Sequence, residues 1–184
     1  MVELMKQITA WEIFDIELEE VTLLSIEEYK KYKNIIPLLE KWWWLRSPGF
    51  VGYYPYYVAD VDCVGDVAEY GSYIGVHKRA VRPALKIKTS EVNCFDIGDT
   101  ISFPKDHIGD EYIVLDKLPN NILYILSKDI VSIRRFDPES NVWETSELKQ
   151  WLEEQYSWMK EDNNSDMLEE VKEVLKKVRE SDDE

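Results

Sequence analysis

WWWLRSPG, residues 42–49, sets the fold question for this 184-residue chain. Three consecutive tryptophans run into a proline–glycine turn, with one arginine between them. In an extended segment successive side chains take opposite faces, so Trp42 and Trp44 share one face and Trp43 takes the other. That parity predicts Trp42 and Trp44 in the core and Trp43 nearer a rim or second layer. Burying such a ring contributes about 3 to 5 kcal/mol. The alternative is a ligand platform in which Trp43 and Arg46 stand with Tyr53, Tyr54, Tyr56 and Tyr57.

Pro48 and Gly49 fix the exit from the stretch, and a second arginine–proline pair, Arg82–Pro83, stands in AVRPALKIK, residues 80–88. A guanidinium carries a fixed fork of donors that can join loop carbonyls or a carboxylate. Arg46 and Arg82 therefore read as anchors, with anion binding by the same pair as the alternative. Trp42, Trp44, Arg46, Pro48, Gly49, Arg82 and Pro83 form the expected structural set.

Upstream, WEIFDIELEEVTLLS alternates near period two and predicts a strand that feeds a helix. Ser25 caps that helix, Glu28 closes a capping box, Leu24 and Tyr29 form its staple, and the helix runs to about Ile36 before Pro37. Residues 42–87 read as a meander of short strands, with Val81, Leu85 and Ile87 inward and a strand starting only after Pro83. Downstream, Pro119-Asn120-Asn121 joins two apolar strands as a hairpin. TSELKQWLEEQYSWM predicts a helix capped by Thr145 or Ser146, turning Leu148, Trp151, Leu152, Tyr156 and Met159 to one side. A final helix is expected near Met167 to Arg179.

Apolar content of 45% with seven Trp, eleven Tyr and five Phe places the chain among globular proteins. Absence of a long apolar run predicts neither secretion nor membrane insertion, and two cysteines in a chain of this size read as reduced thiols of a cytoplasmic protein. The net charge of −15 is uneven: residues 1–30 carry −6 and residues 144–184 carry −8, leaving −1 for the 113 between them. Such a field repels nucleic-acid backbones and attracts a basic protein surface, although acidic faces also serve solubility alone. No direct nucleic-acid contact is therefore expected. The candidate partner-binding residues are Glu17, Glu19, Glu20, Glu153, Glu154, Glu161, Asp162, Glu169, Glu170 and Glu173.

WWWLRSPG, the tyrosine-rich YYPYYVADVD and VRPALKI resemble an uncharacterised domain family of bacteria and their phages. VTLLSIEEYKKY, YILSKDIVSIRRF and WETSELKQWL extend the resemblance over roughly residues 20–160, in a rearranged or circularly permuted order. Ala80 stands where relatives usually have glycine, and Val61-Asp62 where an Asp-Gly turn is common. The resemblance implies an α+β fold, a compact C-type-lectin-like domain with short antiparallel strands, irregular loops and acidic terminal helices. Its expected limits are residues 1–160, made of a 20–88 half and a 95–160 strand–hairpin–helix half, with 161–184 as an acidic helical appendage.

Asp60, Asp62 and Asp66 have oxygen ligands to offer calcium, but their spacing lacks the glycine and terminal glutamate of the twelve-residue loop. His77 and His107 lie in no zinc motif, Cys63 and Cys94 match no oxidase pair, and no phosphate-loop, dinucleotide or nucleophile-elbow motif occurs. No cofactor, metal or catalytic residue is expected. The leading expectation is a non-enzymatic recognition protein whose partner is a host protein with a basic surface. Its narrower form is a phage-encoded, anti-CRISPR-like inhibitor covering the nucleic-acid surface of a host defence nuclease in the host-cell cytoplasm. A carbohydrate- or peptide-binding lectin-like module and an enzyme of unknown chemistry are the alternatives. Self-association through the C-terminal helix is compatible with each.

Overall fold

A computed structural model describes residues 16–49, 55–103 and 109–159. Among these the chain forms a mixed α+β fold of two five-stranded sheets and two α-helices. The first sheet has the order β1 (Glu17–Thr22), β6 (Ala84–Lys88), β9 (Ile122–Ser127), β8 (Glu111–Leu118) and β7 (Thr100–Ser102), all antiparallel. The second runs β10 (Ser132–Arg134), β5 (Arg79–Val81), β2 (Trp43–Pro48), β3 (Tyr57–Val61) and β4 (Val67–Tyr73). Its β2–β5 pairing is parallel and the rest antiparallel. Each sheet draws strands from both the 20–88 and the 95–160 segments.

Besides the long connection from β1 to β2, two short crossovers stitch the sheets together. β5 passes through Arg82-Pro83 into β6, and β9 passes through residues 128–131 into β10. Because β6 pairs with β9 and β5 with β10, the two bends run side by side. Backbone bonds from Ser127 to Pro83 (2.9 Å) and from Val131 to Val81 (3.0 Å) carry the ladder around the corner. Arg82 occupies the bend, fully buried, donating to the carbonyls of Ser127 (2.7 Å), Lys128 (2.9 Å) and Pro37 (2.9 Å) while its guanidinium lies over the Trp43 ring. Burial pushes its pKa down to about 10, with the charge of Asp129 acting in the opposite sense. The three-residue strand β5 before Pro83 was not expected; it forms because the bend lets the chain pair on both sides of a proline that itself donates no ladder bond.

Ser25 caps α1 (Ile26–Tyr32) and Glu28 closes the box, after which residues 33–35 tighten into a 3₁₀ turn ahead of Pro37. Asn120 and Asn121 both take positive φ, 66° and 60°, and with Pro119 form the three-residue connection between the paired residues Leu118 and Ile122 of the β8–β9 hairpin. Ser146 accepts from the Lys149 amide and starts α2 (Glu147–Gln155), whose Leu148 and Leu152 are buried. The expected helix at 167–179 lies outside the described residues.

Apolar side chains collect in two clusters on opposite sides of the sheets. One holds Trp44, Val81, Leu85, Ile87, Phe136 and Trp143 with Leu148 and Leu152 of α2; the other holds Tyr29 of α1 with Trp43, Leu45, Ala80 and Tyr124. Both faces of β2 are therefore covered. This corrects the expectation for the tryptophans: Trp43 and Trp44 are buried, while Trp42, one residue ahead of the strand, remains 38% exposed. Alternation sends Trp43 and Trp44 to opposite faces as expected, but here neither face meets water.

Gly71 accounts for an irregularity in the second sheet. The β3–β4 register shifts between Val58 and Asp60, and opposite that shift Gly71 has φ 81° with Val58 so close that a Cβ would lie 2.2 Å from its carbonyl oxygen. Only glycine fits both the conformation and the approach.

Candidate functional site

The two elements that carry the acidic residues at the ends of the described chain pack against each other. α2 packs on β1, its Leu148 and Leu152 sharing a cluster with Leu18 and Val21. Glu17 and Glu20 alternate with Leu18 and Val21 and so take the side of β1 away from α2, the register shift leaves exposed Glu19 unpaired between them, and α2 carries exposed Glu153 and Glu154. Glu20 is paired with Lys86 at 2.6 Å and Glu153 with Lys149 at 2.5 Å. Glu17, Glu19 and Glu154 are exposed and form no ion pair among the described residues. Two packed elements more than a hundred residues apart in sequence thus each expose carboxylates that have no ion pair among the described residues. Glu161, Asp162, Glu169, Glu170 and Glu173 lie outside the described residues.

The proposed aromatic platform is not assembled as expected. Trp43 is closed off between Tyr29, which meets it edge-on at 5.5 Å, and Arg82. Arg46 donates to the Leu23 carbonyl and to Glu28, so its fork ties β2 to the start of α1. Burial pushes the Glu28 carboxyl upward, but hydrogen bonds from Arg46, the Ser25 amide and Tyr124 outweigh it and hold the group below its ordinary value. Tyr56 and Tyr57 pack against Tyr73, with ring centroids 6.0 and 5.7 Å away; Tyr53 and Tyr54 lie outside the described residues. Pro48 ends β2 and Gly49 is held against the Tyr57 and Tyr70 backbones, where a Cβ would meet the Tyr70 oxygen at 2.2 Å.

A second constellation sits at the start of β2 and β5. Asp60 is fully buried, its Oδ2 accepting from Ser72 Oγ and from Arg79 Nε at 2.9 Å. Arg79 Nη2 reaches Ser72 Oγ at 2.8 Å, and the guanidinium lies 4.9 Å from the Trp42 ring centroid. Asp60 Oδ1 is buried without a hydrogen-bond partner, which costs about 1 to 3 kcal/mol. Burial raises the Asp60 carboxyl despite the opposing bonds from Ser72 and Arg79. Beside this brace opens a recess of about 290 Å³ lined by Glu40, Lys41, Trp42, Lys78, Arg79 and neighbouring apolar groups. Neither a calcium ligand nor a solvated loop acid, the two readings the sequence offers for Asp60, accounts for its full burial; the signal is a carboxylate in the middle of YVADV, where every neighbour suits a buried strand.

Asp62, the second calcium candidate, uses Oδ1 to accept the amides of Val64 and Asp66 and so closes its own turn. Among the described residues no three or more His, Cys, Asp or Glu are grouped as metal ligands, and Cys63 and Cys94 are free and exposed. Among them, too, no helix is long and apolar enough to cross a membrane.

Comparison of the chain with protein-family models, with curated proteins and with solved structures gives no match.

Proposed function

We propose that the chain is a non-enzymatic recognition protein that binds a basic macromolecular surface through the exposed carboxylates of β1 and α2. One observation carries this reading: Glu17, Glu19 and Glu154 are exposed and without ion pairs among the described residues, on two elements that pack against each other. Exposed carboxylates speed encounter with a positive patch and select against negative ones. A basic patch built to hold nucleic acid is a natural counterpart, because its charge is already arranged for phosphates. The narrower form, a phage-borne inhibitor of a host defence nuclease on a C-type-lectin-like scaffold, belongs to this proposal through the family resemblance of the sequence motifs.

The test is capture from cell extract with the wild-type chain and with E17Q/E19Q/E153Q/E154Q as the control. Retention of a basic protein by the wild type alone, released by duplex DNA as competitor, supports the reading. Identical retention by both chains counts against it.

A further inference from the structure

The recess beside Trp42 differs in sign from the rest of the molecule. Its rim sets Lys41, Lys78 and Arg79 against Glu40, and even with buried Asp60 counted the group carries a formal +1 on a chain of −15. Lys41 and Lys78 are exposed and form no ion pair among the described residues. Charges beyond about 8 Å are largely screened at physiological ionic strength, so these near groups decide what the recess accepts.

Arg79 is held as a receptor would be. Asp60 takes Nε and Ser72 takes Nη2, which fixes the plane of the guanidinium, while Nη1 forms no hydrogen bond among the described residues. An arginine has five N–H donors, so this brace leaves several for a guest. A fork immobilised in advance loses less freedom on binding an anion than a loose side chain does. The burial of Asp60 with one oxygen unpartnered is a standing cost in this fold, and it keeps the arginine in place. Trp42, 38% exposed, adds a flat apolar wall next to these donors.

We propose that this recess is a binding site for a small phosphate monoester bearing a flat ring, a mononucleotide, with the phosphate on Arg79, Lys41 and Lys78 and the ring against Trp42. A volume of about 290 Å³ lies at the small end of ligand sites, which suits a single nucleotide and not a dinucleotide. The ring supplies stacking, which is tolerant of base identity, and the cations supply the charge recognition. The site does not depend on the carboxylates of β1 and α2 and stands on separate residues.

Titration calorimetry of the full chain with adenosine 5′-monophosphate, inorganic phosphate and adenosine tests the assignment. The monophosphate is expected to bind saturably, with phosphate and adenosine each at least about tenfold weaker. K41A/K78A changes two exposed side chains outside the core and is expected to weaken the monophosphate about tenfold; W42L is expected to narrow the gap between monophosphate and phosphate. No saturation by the monophosphate at about 5 mM, a level far above a useful affinity, overturns the proposal. So does equal affinity for phosphate and monophosphate, or binding that K41A/K78A leaves unchanged.

Discussion

Arg82 donates from Nε to the backbone carbonyl of Ser127 at 2.7 Å, joining the residue that turns β5 into β6 to the residue that ends β9. The bond lies at the one place where both short crossovers between the sheets run side by side. Its neighbours, to Lys128 and Pro37, make a single guanidinium the donor to three carbonyls of two separate chain stretches.

Replacing Arg82 with methionine keeps most of the side chain's length and removes every donor. A hydrogen bond from a charged donor contributes about 1.5 to 3 kcal/mol, so R82M, which removes three, is expected to lose about 3 kcal/mol or more in urea unfolding. R82K retains a charge but not the planar fork, and is expected to recover less than half of that loss. Loss below about 1 kcal/mol in R82M would remove Arg82 from this role.

Gly71 and Gly98 both have positive φ, 81° and 92°, yet a Cβ at Gly71 would lie 2.2 Å from the Val58 oxygen whereas at Gly98 it would meet nothing within 4 Å. G98A is expected to cost about 1 to 2 kcal/mol, the conformational penalty alone. G71A adds a clash with backbone that cannot swing aside, and its thermal midpoint is expected to fall clearly further than that of G98A.

Glu28 gives the acid limb of stability a definite sign. Its pKa is depressed in the fold, so its stabilisation is fully present above the unfolded value of about 4.3 and is lost as pH falls through the lower folded value. E28Q has no proton to gain there. Unfolding free energies measured between about pH 3 and pH 6 should decline less steeply for E28Q than for the wild type.

The tryptophans separate by burial. Trp44 is fully buried and its indole donates to the Arg134 carbonyl at 2.9 Å, so W44F is expected to cost about 2 to 3 kcal/mol. W42F changes a ring that is partly in water and stacked on Arg79, and is expected to cost less than about 1 kcal/mol. Stability curves for the two variants should rank them in that order.

Local signals were legible where the chemistry is local. Ser25 with Glu28, Asn120 with Asn121, and Ser146 each write their cap or turn in neighbouring residues, and the structure uses all of them. Val81, Leu85 and Ile87 were placed inward by alternation and lie in one cluster. Trp42 and Trp43 were misassigned because alternation distinguishes two faces without saying whether the second is also covered; that depends on α1, which arrives from another part of the chain. The Asp60–Ser72–Arg79 brace was not legible at all, since its members are 12 and 19 residues from Asp60 and become neighbours only through the β3–β4 pairing and the return of β5. The packing of α2 on β1 through Leu148 and Leu152 was not legible either, because charge counts at the two ends of a sequence do not say which elements become neighbours.

The central claim, that the exposed carboxylates of β1 and α2 recognise a basic surface, is tested most directly by the salt dependence of affinity for the protein captured on them. Between about 50 and 300 mM KCl the screening length falls by more than half, and wild-type affinity is expected to drop about tenfold or more. E17Q/E19Q/E153Q/E154Q should start weaker and show a flatter dependence. Equal affinities for the two chains, unchanged across that range, would contradict the account.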